Sequence, residues 1–354
     1  MVHGSTRASR AMPLRSPIGL PVILSLLATL VLAAPTPAVA HHSFAAHFQM
    51  DTMVEVEGRV TDIQWVNPHI KIHVEDANGQ RWEVEAGPVN LLTRMGVSRD
   101  KFVVGDRLRV RGNPGRGDER VIWVSNILLS DNTEILANPR AEPYWESSAV
   151  GDASALLEAG DLALPKGDKR SFFRVWSPLL EQFPRPRGDP KLTAAGVAAQ
   201  SRYGIDKQVV ADCETPGMPF AMVSPYPIQL VDRGDRIVIR AEAYDLERVA
   251  WLKPPEVAPG PTALGYSLAR FDGNTLIVDT TRIHYHSYGD LGPAQSDRSH
   301  VVERFTLSDD GLKLDYEVTV TDPEILAEPW PWGGSFIYRE GAELKAWKCG
   351  ASLP

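Results

Sequence analysis

Apolar residues recur at every second position in short segments that end in turns, and this period confines most of the chain to β-structure. In "VEVEGRVTDIQWV" the alternation runs through Val54, Val56, Val60 and Ile63, with Gly58 as a kink. In "HIKIHVED" it puts Ile70, Ile72 and Val74 on one face and His69, Lys71 and His73 on the other. Asn78-Gly79 is a strong hairpin signal, and "RWEVEA" continues beyond it with Trp82, Val84 and Ala86 on one face. "PVNLLTRMG" changes the period: Leu91, Leu92 and Met95 have helical spacing, Pro88 opens the segment and Gly96 stops it. "DRLRVRG" and "VIWVSNILL" follow as strands around a Gly-rich loop. The order β-β-β-α-β-β is that of an OB-fold, a five-strand barrel with a helix between strands three and four. An SH3-like barrel shares much of this pattern.

A second run of alternation fills the C-terminal half. Strands are expected at 227–232, 236–243, 246–252, 264–271, 275–281, 300–308, 312–321, 335–339 and 343–349. Turns such as Asp272-Gly273-Asn274 and Asp309-Asp310-Gly311 join them. Strands in that number and order suggest a larger antiparallel up-and-down barrel, of a size that can enclose one small ligand. Between the halves, "ANPRAEPYWESS", "LPKGDKR" and "PRPRGDP" are Pro-rich and charged. They read as a connector with a short helix at 152–159, and the aromatic stretch "FFRVWSPLLEQF" argues that it packs on a barrel. "DPKLTAAGVAAQSRY" reads as a helix start capped by Asp189 or Thr193. The expected fold class is therefore all-β: an OB-like barrel with one helix over 41–130, a connector over 131–190, and a larger barrel-like domain over 191–354.

Residues 1–40 follow another logic. Arg7, Arg10 and Arg15 precede the apolar run "IGLPVILSLLATLVLAA", and Ala38-Val39-Ala40 ends the segment. This is the order of a cleaved signal peptide. The apolar run is short for a membrane span and Pro21 shortens it further, so no integral membrane segment is expected after cleavage. Periplasmic or secreted localisation follows, and His41 becomes the first residue. The formal charge of −8 includes those three arginines, so the processed chain is near −11. A net-acidic exported protein is a poor candidate for nucleic acid or anionic lipid. Cys213 and Cys349 are an even pair in an oxidising compartment and are expected to form a disulfide. The rival role is a redox thiol, which a CxxC would favour; there is none.

Both halves resemble exported bacterial families without an assigned reaction. The first resembles a family of unknown function that begins His-His-Ser-Phe after the signal, matched by His41-His42-Ser43-Phe44. Its Gly-x-Val and Trp-x-Asn-Pro-His elements are matched by Gly58-Arg59-Val60 and Trp65-Val66-Asn67-Pro68-His69. Its Trp-x-Val-Glu and Gly-Asp are matched by Trp82–Glu85 and Gly105-Asp106. His47 departs from the family, which more often has an acid there. The second half resembles an uncharacterised exported β domain through "CETPGMP", "SPYPIQLV", "HVVERF", and Asp322-Pro323 with Pro329-Trp330. The resemblance implies location and domain division, not chemistry.

Four groups of residues are candidates for a site. An N-terminal His41 offers its α-amino group and its imidazole, and His42 or His47 can add a third nitrogen, a set that suits copper(II) or another divalent metal. The alternative is an exposed, uncommitted terminus. His69 and His73 lie about 13 Å apart on a strand, too far to share a metal; each could act singly, His69 above all in the first strand connection where OB-folds often bind ligands, and a solvated face is the simpler reading. His284 and His286 lie at i, i+2, about 6.6 Å apart, before a polar loop with Asp290 and Asp297 that His300 closes. That cluster reads as a metal or acid–base site, or as the polar rim of a barrel mouth. Trp330 and Trp332, with Tyr285, are candidates to stack a sugar or an aromatic ligand, or to plug the barrel end. Arg298, Glu303 and Arg304 suggest a structural ion-pair network. No GxSxG, phosphate loop, dinucleotide fingerprint or HExxH is present. The reading that results is a binding protein: a small apolar or aromatic ligand in the C-terminal barrel, and copper at the N-terminus. A metal-dependent enzyme at the His284/His286/His300 loop and an envelope interaction module are the rivals; catalytic residues and a protein partner remain unassigned.

Overall fold

The computed structural model describes residues 1, 4, 47–117, 119–145, 147–166, 171–200, 214–289 and 292–350. Every strand and helix below belongs to one compact unit, His42–Pro354.

The first barrel has the expected order. Strands β1 (Val54–Gln64), β2 (Ile70–Glu75) and β3 (Arg81–Ala86) form a meander, the helix Val89–Arg94 follows, and β4 (Arg107–Pro114) and β5 (Val121–Leu128) complete the set. The sheet order β3-β2-β1-β4-β5 closes through a parallel β3–β5 pairing, Glu83↔Val121 to Glu85↔Trp123. Closure removes the free edges of a small sheet. The strand alternation points Val60, Ile72, Val74, Val84, Val110 and Ile122 into one core, each at most 1% exposed. Gly112 sits at a register shift between β4 and β5; a Cβ there would lie 2.2 Å from the Trp123 carbonyl oxygen, so only glycine allows this approach. The hairpin turn forms at Gly79, where φ is +72°, and Asp76 Oδ1 accepts from the amides of Asn78 and Gln80. Two short strands, β6 (Thr133–Leu136) and β7 (Ser148–Val150), extend the sheet from β5.

The second barrel is built from β8 (Val175–Pro178), β9 (Arg185–Pro186), β10 (Ile228–Asp232), β11 (Arg236–Ala241), β12 (Leu246–Trp251), β13 (Tyr266–Asp272), β14 (Thr275–Thr281), β15 (His300–Leu307), β16 (Lys313–Thr321) and β17 (Trp330–Ile337). From β10 to β17 the strands pair in sequence order, and β8 closes the ring between β17 and β10. Nine strands form the barrel and β9 adds to the outside of β17. Every pairing is antiparallel except β12–β13, which is parallel through Ala250↔Ser267 and Trp251↔Leu268. The stretch between the halves thus supplies strands to both, β6 and β7 to the first sheet and β8 and β9 to the second. The helix Ala194–Gln200 is capped by Thr193, whose Oγ1 accepts from the Gly196 amide.

One expected strand does not form. Residues 343–349 are irregular, and the ninth barrel strand is β8. The amides of Lys345 and Trp347 donate to the carboxylates of Glu242 and Asp245, and the Lys348 carbonyl accepts from the Asn67 amide. With its backbone groups taken by side chains and by the first barrel, the segment has no ladder to join. Among the described residues no helix is long and apolar enough to cross a membrane.

Candidate functional site: the interior of the second barrel

Among the described residues two charged side chains stand at inward positions of the second barrel, which otherwise carry apolar residues and the bonded hydroxyls of Ser267 and Thr280. Arg248 shares the inward parity of Leu246 and Ala250 on β12, and Glu303 that of Val301 and Phe305 on β15. The two side chains, 2% and 0% exposed, meet inside the barrel. Arg248 Nη2 donates to both carboxylate oxygens of Glu303, at 2.5 and 2.6 Å. The Tyr316 hydroxyl donates to Oε1 at 2.5 Å. Burial, and next the Glu303 charge, push the Tyr316 hydroxyl well above its ordinary pKa of 10.0, so it stays a donor. Glu303 is the acceptor for all three contacts. Arg248 is not saturated: its Nε and Nη1 are buried and make no hydrogen bond among the described residues. The indole Nε1 of Trp332 is in the same state. Trp332 stands opposite Val318, which stands opposite Glu303, so these three backbone positions share one register row.

A second polar network closes the end of the barrel near β17. Asp322, 1% exposed, accepts from the Tyr288 hydroxyl at 2.9 Å, the Ser296 amide at 2.9 Å and the Ser296 hydroxyl at 2.7 Å. Gln295 Nε2 donates to the Met218 carbonyl and to Ser299 Oγ. The Tyr288 ring meets Trp330 edge-on at 6.0 Å, and burial raises its hydroxyl pKa. These contacts hold the loop before β15 down against the core.

The residues singled out from sequence are placed as follows. Trp330 and Trp332 are buried, pack edge-on at 4.8 Å, and Trp330 Nε1 donates to the Gly188 carbonyl. Tyr285 is buried and its ring lies 4.3 Å from that of His286. His284 is exposed and pairs with Asp297 at 2.6 Å, whereas His300 pairs with Asp279 at 2.9 Å. His284 and His300 therefore turn to different carboxylates, and no group of three His, Cys, Asp or Glu among the described residues is placed to hold a metal. His41, His42, Cys213 and Asp290 lie outside the described residues. The carbonyl of half-buried His47 accepts from the Arg116 amide, and Cys349 is exposed opposite Asn67. In the first barrel His69 pairs with Glu85 and packs on Trp123, while His73 lies between Asp62 and Glu83. Glu303 pairs with Arg248 in place of the expected Arg298 or Arg304. Sequence reasoning missed Arg248 and Asp322; the available signal was the inward parity of a charged residue.

The Trp-x-Asn-Pro-His element has a positioning role. Asn67 is fully buried at a cis peptide bond to Pro68. Its Oδ1 accepts from the Val89 amide, its Nδ2 donates to Asn90 Oδ1, and its backbone bonds to Lys348 and Gly350. Asn90 passes the connection to Glu242, which also takes both Nη atoms of Arg94 at 2.5 Å and the Lys345 amide at 2.8 Å. One asparagine thereby ties the helix Val89–Arg94 to the C-terminal segment. A cavity of about 310 Å³ opens beside this seam, lined by Arg94, Ser177, Pro227, Arg339 and Lys345 among others.

A family model described as a family of unknown function (DUF6152) matches residues 28–122, which takes in β1 to β4 and the start of β5. No curated protein matches the chain.

Proposed function

We propose that this is a binding protein whose nine-strand barrel takes one small, largely apolar molecule. The observation that carries the reading is the donor excess inside the barrel: buried N–H groups of Arg248 and Trp332 with no acceptor among the described residues. A buried donor without a partner is costly, and native proteins rarely keep one without a use for it. The aromatic wall of Trp330, Trp332 and Tyr316 suits an aromatic or alicyclic body. The test is a titration with N-phenyl-1-naphthylamine, a neutral apolar dye. A saturable, one-to-one rise in fluorescence supports the reading, and a linear, unsaturable response sinks it.

The same proposal places the protein outside the cytoplasm, in the periplasm or secreted. Its support is the basic, apolar and Ala-x-Ala order of residues 1–40. Cleavage after Ala40 gives His41 a free amine, which with its imidazole and that of His42 or His47 binds copper(II). Cys213 and Cys349, the chain's two cysteines, form a disulfide in that compartment. Intact mass of the exported protein tests all three at once. The expected result is a chain starting at His41, two hydrogens lighter than its reduced form, that gains one copper on titration; an uncleaved chain with two free thiols contradicts the proposal.

A further inference from the structure

The cavity at the seam holds positive charge that the chain does not balance. Its wall comes from five parts of the sequence: the helix Val89–Arg94, the short helix Ser154–Leu157, β8, the prolines before β10 and the segment after β17. Its volume of about 310 Å³ suits one small molecule. Three cations line it, and they differ. Arg94 gives both Nη atoms to the buried Glu242 and is neutralised there. Arg339 is half-buried and has no carboxylate partner among the described residues. Its Nη2 donates instead to the carbonyls of Ala155 and Glu158, at 2.6 and 2.5 Å. Those contacts fix the guanidinium without neutralising it. Its other N–H groups are unbonded among the described residues and open to solvent. Burial, with no carboxylate to offset it, holds the Arg339 pKa below its ordinary value. Lys345 is likewise half-buried: Glu242 takes its backbone amide, and its ammonium has no carboxylate partner among the described residues.

Glu340 and Glu343 line the same cavity but are exposed, so water and salt screen them. Two half-buried cations against two solvated acids favour one negative charge on a ligand and disfavour a second. A neutral molecule would leave both cations uncompensated, and a cation would add to them. A carboxylate takes charge-assisted hydrogen bonds from a guanidinium and an ammonium. The rest of the wall, Leu156, Pro178, Pro225 and Pro227 among it, is apolar.

We propose that this seam cavity binds a small organic monocarboxylate with an apolar body, its oxygens received by Arg339 Nη1 and Lys345 Nζ. The site is separate from the barrel interior, and neither reading depends on the other.

The test titrates three probes with one apolar body into the full chain by ligand-observed NMR: 4-methylpentanoate, 4-methylpentanamide and 4-methylpentan-1-amine. The carboxylate is expected to bind about tenfold more tightly than the neutral amide, the worth of a charge-assisted bond, and the amine to bind most weakly. R339M and K345M are each expected to weaken carboxylate binding about tenfold and to leave the amide unchanged. R339M also loses two carbonyl contacts, so K345M, which loses none, decides the matter if R339M does not fold. Equal binding of carboxylate and amide, the amine as the tightest probe, or undiminished carboxylate binding by K345M overturns the proposal. Inorganic phosphate binding more tightly than the carboxylate overturns it too, because the apolar wall would then contribute nothing.

Discussion

In the first barrel Glu134 is fully buried, and its own neighbourhood saturates it. Asn126 Nδ2, the amides of Tyr144 and Trp145, and the Ser147 hydroxyl all donate to it, at 2.7 to 3.2 Å. All four lie within thirteen residues of it. In the second barrel Glu303 is equally buried, but its main partner is Arg248, fifty-five residues away, and Arg248 retains donors that nothing among the described residues accepts. The first arrangement pins a loop to a sheet. The second costs stability that a well-packed apolar pair would not. Glu242, which joins Arg94, Asn90 and Lys345 across the seam, belongs with Glu134 in that its carboxylate is saturated, although its partners lie more than a hundred residues away in sequence. A saturated buried carboxylate is read as structure, and a buried cation with donors to spare is read as a site.

The largest expected effect breaks the ion pair from one side. Glu303→Leu leaves a buried guanidinium uncompensated, and a loss of about 3–5 kcal/mol is expected in urea unfolding. A loss below about 1 kcal/mol would mean that Arg248 reaches water, and the closed-barrel description of the pair would fail. Next comes the seam. Glu242→Leu strands Arg94 and Asn90 and is expected to cost about 2–4 kcal/mol, with greater solvent access at Trp347 in an acrylamide quenching assay. Smaller again is Glu134→Gln, at about 1–3 kcal/mol. This one carries a pH signature. Burial works to raise the Glu134 pKa, but the hydrogen bonds from Ser147, Tyr144, Asn126 and Trp145 outweigh it, so the folded value lies below the ordinary 4.5. Stability from this group is complete above the unfolded pKa and is lost as pH falls through the folded one. The gap between wild type and Glu134→Gln should therefore narrow between about pH 5 and pH 2, and a gap that widens on acidification contradicts the assignment. The smallest effect is at Arg107, whose pair with Glu57 is 69% and 58% exposed on the two sides. Arg107→Ala should leave the unfolding midpoint unchanged within error.

Much of the fold was legible because strand alternation and turn chemistry are local. The Val54–Ala86 meander, the helix after Pro88 and the Asp272-Gly273 and Asp310-Gly311 turns could be read residue by residue, and the glycines take the positive φ those turns need. The closing strand β8 was hidden because "VWSP" is four residues long inside a Pro-rich stretch. Only its partners, Ile228 and Ile337 among them, identify it as a strand. "ELKAWKC" alternates like a strand, yet carboxylates from elsewhere in the chain take its amides. The aromatic half of the site, Trp330, Trp332 and Tyr285, was visible from residue type. The polar half was not. Arg248 and Glu303 look like outward-facing charges in "LERVAW" and "VVERF", and only their parity with Leu246, Ala250, Val301 and Phe305 gives them away. That they find each other across the barrel depends on closure, which no local pattern encodes.

The most direct measurement is N-phenyl-1-naphthylamine binding to R248M/E303L beside its urea unfolding curve. Replacing a buried ion pair by apolar side chains of similar size is often neutral or stabilising by about 1–4 kcal/mol. The expected variant unfolds at or above the wild-type midpoint and binds the dye more weakly than the wild type does. A variant that folds as well and binds as tightly would show that the Arg248–Glu303 pair is structural, like Glu134, and that the barrel interior recognises nothing through it.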